Sequence, residues 1–231
     1  MLQAIQLTKK YQQHTALDHL NLEVAKGEIF CLLGQNGAGK TTTINLFLGF
    51  TAATSGQAFV NGLEVKPGAA DTRKFIAYIP EVVQLYGNLT GVENLDFFCR
   101  LAGFRYPADM LKGFLQKAGL QPDAHARRLS GYSKGMRQKV GIAIALAKNA
   151  EVIFMDEPTS GLDPRSTQEF ADIARQLGSE GKTILMATHD IFNAVNVGTT
   201  IGIMNKGVLV HTLATAGITA GELQQLYLET I

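Results

Sequence analysis

Short runs of consecutive apolar residues, bounded by Gly, Pro or polar positions, recur along the chain at 28–33, 75–79, 152–155, 183–187 and 200–204. Runs of that length without polar alternation read as strands buried on both faces. Helix-like segments separate several of them, which predicts an α/β core with a mostly parallel sheet. The segments at 4–7, 17–24 and 57–60 lie closer together with turn residues between them, and they predict an antiparallel β layer beside that core. From about 89 to 147 the strand pattern gives way to helical character at 92–104, 108–118 and 134–147. The expected organisation is one domain over 1–231, in which 1–87 and 148–231 form the α/β core and 88–147 form an inserted helical subdomain.

Composition narrows the setting. The chain has 231 residues, 46% of them hydrophobic, enough for an ordinary globular core. Lys and Arg number 21 against 20 Asp and Glu, so no global charge draws it to nucleic acid or an anionic membrane surface. No nucleic-acid partner is expected. Cys31 and Cys99 are too few for a disulfide framework and lack metal-ligand spacing, which favours a reducing compartment, the cytoplasm by default. Residues 1–13 show no secretory apolar segment, so the start is expected to be that of the mature chain. A spanning helix needs roughly 20 apolar residues; the apolar run at 140–147 ends at Lys148, and the chain is not expected to cross a membrane by itself.

Residues 34–41, Gly34-Gln35-Asn36-Gly37-Ala38-Gly39-Lys40-Thr41, satisfy G-x-x-x-x-G-K-[ST] between a predicted strand and a predicted helix. Glycines let successive backbone N–H groups turn inward around phosphate oxygens, and the helix that follows presents its positive end. This predicts a P-loop NTPase core, with Lys40 reaching the β- and γ-phosphates and the Thr41 hydroxyl holding Mg²⁺. Further on, the run 152–155 ends in Asp156-Glu157. In P-loop hydrolases an Asp at such a strand end completes the Mg²⁺ shell, which makes Asp156 a metal candidate. Glu157 then faces the γ-phosphate, placed to orient or deprotonate an attacking water.

With these motifs in order, the sequence resembles the ATP-binding cassette family across essentially its whole length. Pro158-Thr159-Ser160-Gly161-Leu162-Asp163 is similar to the family's extended strand end and D-loop, and the resemblance implies that Asp163 communicates across a dimer interface. Ala187-Thr188-His189-Asp190 matches the switch histidine, implying contact between His189 and the γ-phosphate. The signature loop has two candidate registers, Leu129-Ser130-Gly131-Tyr132-Ser133 and Tyr132-Ser133-Lys134-Gly135-Met136. The second is followed by Arg137-Gln138-Lys139-Val140, similar to the family's basic tail, and Ser133 there reads as a helix N-cap. Ser133, Lys134, Gly135 and Met136 are then implied to grip a γ-phosphate. Glu81, in Tyr78-Ile79-Pro80-Glu81, stands where most relatives have a glutamine linking metal to permease; a carboxylate can also coordinate Mg²⁺. Gln84 is the weaker alternative. Tyr11 matches the aromatic that stacks on adenine.

The resemblance implies an ATPase using ATP and Mg²⁺, in which nucleotide on Gly34 to Thr42 of one subunit is covered by Ser133 to Met136 of a second. It further implies a separate transmembrane permease partner, similar to export-type systems, and a peripheral place on the cytoplasmic face of the membrane. A soluble cassette ATPase acting on DNA or ribosomes is the alternative, though no coiled-coil insertion, tandem cassette or basic arm is visible. A nucleotide sensor without turnover is disfavoured by Asp156, Glu157 and His189. A GTPase is disfavoured because Asn205-Lys206-Gly207-Val208 lacks the aspartate of N-K-x-D.

Overall fold

In the computed structural model, which describes residues 1–68 and 70–231, the apolar runs become five strands of a six-stranded sheet. These are β3 (Ile29–Leu33), β6 (Ile76–Ile79), β7 (Val152–Asp156), β8 (Thr183–Thr188) and β9 (Thr200–Asn205), with β10 (Val208–Ala214) at the edge. Strand order is β10-β9-β3-β8-β7-β6, parallel throughout except for the β9–β10 hairpin. Every residue of β3, β7 and β8 is buried, as a parallel sheet covered on both faces requires. A second sheet, antiparallel in the order β2-β1-β4-β5, is built from β1 (Leu2–Tyr11), β2 (His14–Val24), β4 (Ser55–Val60) and the short β5 (Leu63–Glu64).

Alternation along the parallel strands feeds two cores. Phe30, Leu32, Phe154 and Leu185 face the antiparallel layer and α1 (Lys40–Phe47), where Phe47 stacks on Phe154 with ring centroids 5.9 Å apart. Cys31, Leu33, Met155 and Met186 face the other way, onto α5 (Pro164–Ser179), α6 (Ile191–Val197) and α7 (Ala220–Thr230). Burial drives the Cys31 thiol up to about 12, so it packs as an apolar residue.

Between β6 and β7 the chain forms α2 (Gly91–Leu101), α3 (Ala108–Lys117) and α4 (Lys134–Ala147). Leu95, Leu111, Leu115 and Val140 join them into the same core that lies under α5. The first of these helices ends earlier than its apolar pattern suggests. Gly103 takes φ 87°, and Phe104 N–H turns back to the Cys99 carbonyl at 2.9 Å, which terminates α2 and leaves 102–104 outside it. At its other end Thr90 and Glu93 form a reciprocal capping box. Asn94, wholly buried, accepts from Tyr86 N–H at 2.9 Å and donates to the Tyr86 and Thr90 carbonyls, both at 3.0 Å. Those bonds hold the segment leading from β6 into the helices.

Replacing Asn94 with Ala would leave the buried Tyr86 N–H without its partner and take one of two hydrogen bonds from each of the Tyr86 and Thr90 carbonyls, which keep Leu89 N–H and Asn94 N–H. Urea unfolding should show the variant about 2–3 kcal/mol less stable than the parent; equal stability would mean that this segment is held by other contacts.

Candidate active site

Register sets the site. Leu32 and Asp156 both lie level with Ala187, on the strands flanking β8. The chain therefore leaves the sheet at one edge in three neighbouring places: into the glycine-rich loop after Leu33, at Glu157 and at His189. The carboxyl ends of parallel strands are where α/β sheets bind ligands.

In the loop, Gly37 and Gly39 take φ 84° and 106°, values reached readily only without a side chain. Gly34 is needed for a different reason: a Cβ there would lie 2.7 Å from the Met204 carbonyl of β9. Gln35, Asn36, Gly37, Gly39, Lys40, Thr41 and Thr42 border a cavity of about 390 Å³, whereas Gly34 does not line it. Ala38 faces away, with its side chain buried, onto a smaller cavity beside Met204 and Ile231. No side chain caps α1, so the positive end of the helix and its first amides are directed at this cavity.

Lys40 is 5% exposed, and its ammonium donates to the Gly34 carbonyl at 2.6 Å and the Gln35 carbonyl at 3.2 Å. It also lies 3.3 Å from Glu157 Oε1. Glu157 itself holds φ 45°, an uncommon backbone for a residue with a side chain. Its N–H is fixed by the Ala187 carbonyl at 2.9 Å. Oε2 accepts from the His189 backbone N–H at 3.3 Å and pairs with His189 Nδ1 at 2.8 Å. A carboxylate only accepts, so Nδ1 carries the proton of this contact. Glu157 Oε1 is buried without a hydrogen-bond partner among the described residues. A buried acceptor in that state, bordering a cavity, is suited to receive a proton from a bound molecule.

Asp156 Oδ1 accepts from the Thr41 hydroxyl at 3.2 Å. Burial lifts the Asp156 carboxyl above the usual carboxylate range; Glu157 and Glu81 push the same way, while the Thr41 hydrogen bond and Lys40 oppose them. Burial also raises the phenol of Tyr78, helped by the charge of Asp156. Among the described residues no three His, Cys, Asp or Glu side chains cluster closely enough to hold a metal alone. The donors at this edge are one hydroxyl and the carboxylates of Asp156 and Glu81, all oxygen. That set fits a hard cation completing its shell with water and phosphate oxygens, as Mg²⁺ does.

Tyr11 and Glu81 border the cavity too. Tyr11 is half exposed, with the Lys9 ammonium 4.7 Å from its ring centroid. Ser133, Lys134, Gly135 and Met136 do not line the cavity. Ser133 instead caps α4, its hydroxyl accepting from Met136 N–H at 3.3 Å, while Leu129–Gly131 forms a separate 3₁₀ turn. Gln84 lies in a groove with Val82, Leu85 and Arg137, away from the phosphate loop. Asp163 caps α5, accepting from Ser166 N–H at 2.9 Å and Ser166 Oγ at 2.7 Å, bonds that hold its carboxyl below the usual range. Sequence reasoning missed His14 and Ala16, which border the cavity. The polar pair Gln12-Gln13 between two β-prone runs was the available signal, since it folds Tyr11 back against His14 in the β1–β2 hairpin.

Comparison with known proteins adds an independent line. A profile of the ABC transporter family matches residues 17–160. The chain is 35% identical over 212 residues to the probable multidrug ABC transporter ATP-binding protein YbhF of Escherichia coli, covering 91% of this chain but 36% of that protein. It therefore spans about a third of that relative's length. Identity is also 35% over 215 residues to the bacitracin transport ATP-binding protein BcrA of Bacillus licheniformis, covering 92% of this chain and 69% of BcrA. Among solved structures, the dimeric post-hydrolysis state of the ATP-binding cassette MJ0796 bound to ADP and Pi superposes with a TM-score of 0.83. Identity there is 25%, over 94% of this chain and all of that one.

The Asp156 shift has a sign that can be checked. A carboxyl raised by folding contributes stability that is present below its unfolded pKa and lost as pH rises through the folded value. Asp156→Asn should therefore melt higher than the parent at pH 7 without nucleotide, and the gap should close as pH falls toward about 4, the ordinary aspartate value. A variant less stable than the parent at pH 7 would contradict the assignment.

Proposed function

The chain belongs to the ATP-binding cassette (ABC) transporter family, and on that premise we propose that it binds and hydrolyses ATP as the motor of a transporter whose membrane-crossing part is another polypeptide. One observation carries the reading: Lys40, Thr41, Asp156 and Glu157 border a single cavity, while the Ser133 loop lies outside it. In this assignment Tyr11 offers its flat face to adenine, and the amides between Gly34 and Thr42 surround the phosphates. Lys40 turns from the Gly34 carbonyl to the β- and γ-phosphates. Thr41 and Asp156 hold Mg²⁺ with Glu81 in reach, and the bound cation supplies charge that offsets the phosphate oxygens. Glu157, freed of Lys40, takes the proton of the attacking water, and His189, oriented through Nδ1, donates an Nε2 proton to the γ-phosphate.

Gly135 N–H, the Ser133 hydroxyl and the positive end of α4 lie outside the cavity of their own chain, and in this reading they serve the nucleotide of a second subunit. ATP then joins the two copies, and hydrolysis removes the contact that favours the closed pair. Residues 88–147 act as the arm that carries this surface. None of the described helices is long and apolar enough to cross a membrane. In this reading the work is delivered to a separate permease from the cytoplasmic face. A relative named as a Nod factor export ATP-binding protein supports export, with cargo set by the permease.

Glu157→Gln should retain ATP binding and form a stable ATP-dependent dimer while turnover falls about 10²-fold or more. Unchanged turnover would remove Glu157 from the base role. Lys40→Ala should bind nucleotide weakly in the same titration, and undiminished affinity would count against the phosphate-loop assignment.

A further inference from the structure

Glu81 stands where most family members carry a glutamine, and the fold brings it against Lys134 of the signature loop. Glu81 Oε1 lies 3.7 Å from Lys134 Nζ and accepts a hydrogen bond from Ser160 Oγ at 2.9 Å. The same carboxylate borders the nucleotide cavity, where its charge is felt by Asp156. Its backbone, by contrast, is fixed. Gln138 of α4, 1% exposed, donates through Nε2 to the Pro80 carbonyl at 3.3 Å and the Glu81 carbonyl at 3.1 Å. Two carbonyls facing one end of the amide determine its orientation, because a flip would oppose oxygen to oxygen. Gln138 Oε1 is left buried without a hydrogen-bond partner among the described residues. An apolar side chain of similar size would avoid that cost, so the residue is spent on gripping the loop. Packing adds to the grip: a Cβ on Gly141 would lie 3.3 Å from Val83 Cγ2, which leaves little space between α4 and this loop.

We propose that Glu81 is the moving contact of a latch between the nucleotide cavity and the signature loop of the same chain, with Gln138 as the positioning residue that serves as its pivot. The inference rests on the ATP-and-Mg²⁺ reading above. Turned toward α4, the carboxylate neutralises Lys134, the first residue of that helix. Turned toward the cavity, it adds an oxygen ligand beside Thr41 and Asp156 and releases Lys134 at the positive end of α4. That is the surface offered to the phosphates of the other subunit. Filling the cation site of one copy thus raises the attraction that the same copy exerts on its neighbour's nucleotide. The side chains of Glu81 and Lys134 are 52% and 32% exposed, so each can move without unpacking the core.

The test is the Mg²⁺ dependence of binding of a non-hydrolysable ATP analogue to the isolated chain, read by fluorescence and not by turnover. Lys134→Met removes the competing partner and should lower the half-saturating Mg²⁺ about two- to fivefold, the range of an exposed ion pair. In a Glu81→Gln background the same change should shift nothing. In a Gln138→Met background, where the pivot has lost both donors, the shift should also vanish. No effect of Lys134→Met in the parent overturns the latch. An equal shift in the Glu81→Gln background does so too, because that is the signature of a general field from the lysine. An undiminished shift in Gln138→Met removes Gln138 as the pivot. A chain that fails to bind the analogue at any Mg²⁺ concentration sinks the nucleotide reading itself, and this inference with it.

Discussion

The in-register pairing of β3, β8 and β7 is the constraint on which the rest depends. Because Leu32 and Asp156 both sit level with Ala187, the phosphate loop, the acidic strand end and the switch histidine emerge side by side. A shift of β7 by one residue would turn Asp156 to the opposite face and carry Phe154 away from Phe47. The same alternation that buries Phe154 on one side and Met155 on the other therefore fixes which carboxylate meets Thr41 and which meets His189.

Within that frame the site stores unfavourable electrostatics. A lysine at 5% exposure rests on backbone carbonyls, Asp156 is buried beside two other acids, and Glu157 has a strained backbone and a buried oxygen that faces the Lys40 ammonium without a well-formed hydrogen bond. Each of these is a local cost that packing elsewhere sustains, and each is relieved by a ligand carrying negative phosphates and a divalent cation. Charges held in place before the ligand arrives need no reorganisation when it reacts.

Much of this was legible in the chain. Consecutive apolar runs gave away β3, β7 and β8 because a doubly covered strand has no solvent face to record, and the loop from Gly34 to Thr41 follows directly from its spacing. Other features were hidden because they depend on partners distant in sequence. The necessity of Gly34 comes from Met204, 170 residues on, and the orphaned oxygen of Gln138 comes from the placement of Pro80 and Glu81. The early end of α2 needed the left-handed Gly103, which the helical pattern through Phe104 concealed. The edge strand β10 shows alternating exposure and so lacks the continuous apolar signal that marks its neighbours. Roles given by family likeness, such as those of Ser133 and Asp163, cannot come from one copy, where both residues appear simply as helix caps.

The central claim is that one catalytic site is assembled from two chains, and complementation between inactive chains measures it most directly. A Lys40→Ala chain keeps an intact Ser133 loop, and a Ser133→Ala chain keeps an intact phosphate loop, so each alone should be nearly inert. Mixed, the pair contains one complete composite site, and ATP turnover well above that of either chain alone is the predicted result. A mixture no more active than the sum of its parts, with both chains folded and associating, would place the whole site within a single polypeptide and contradict the account.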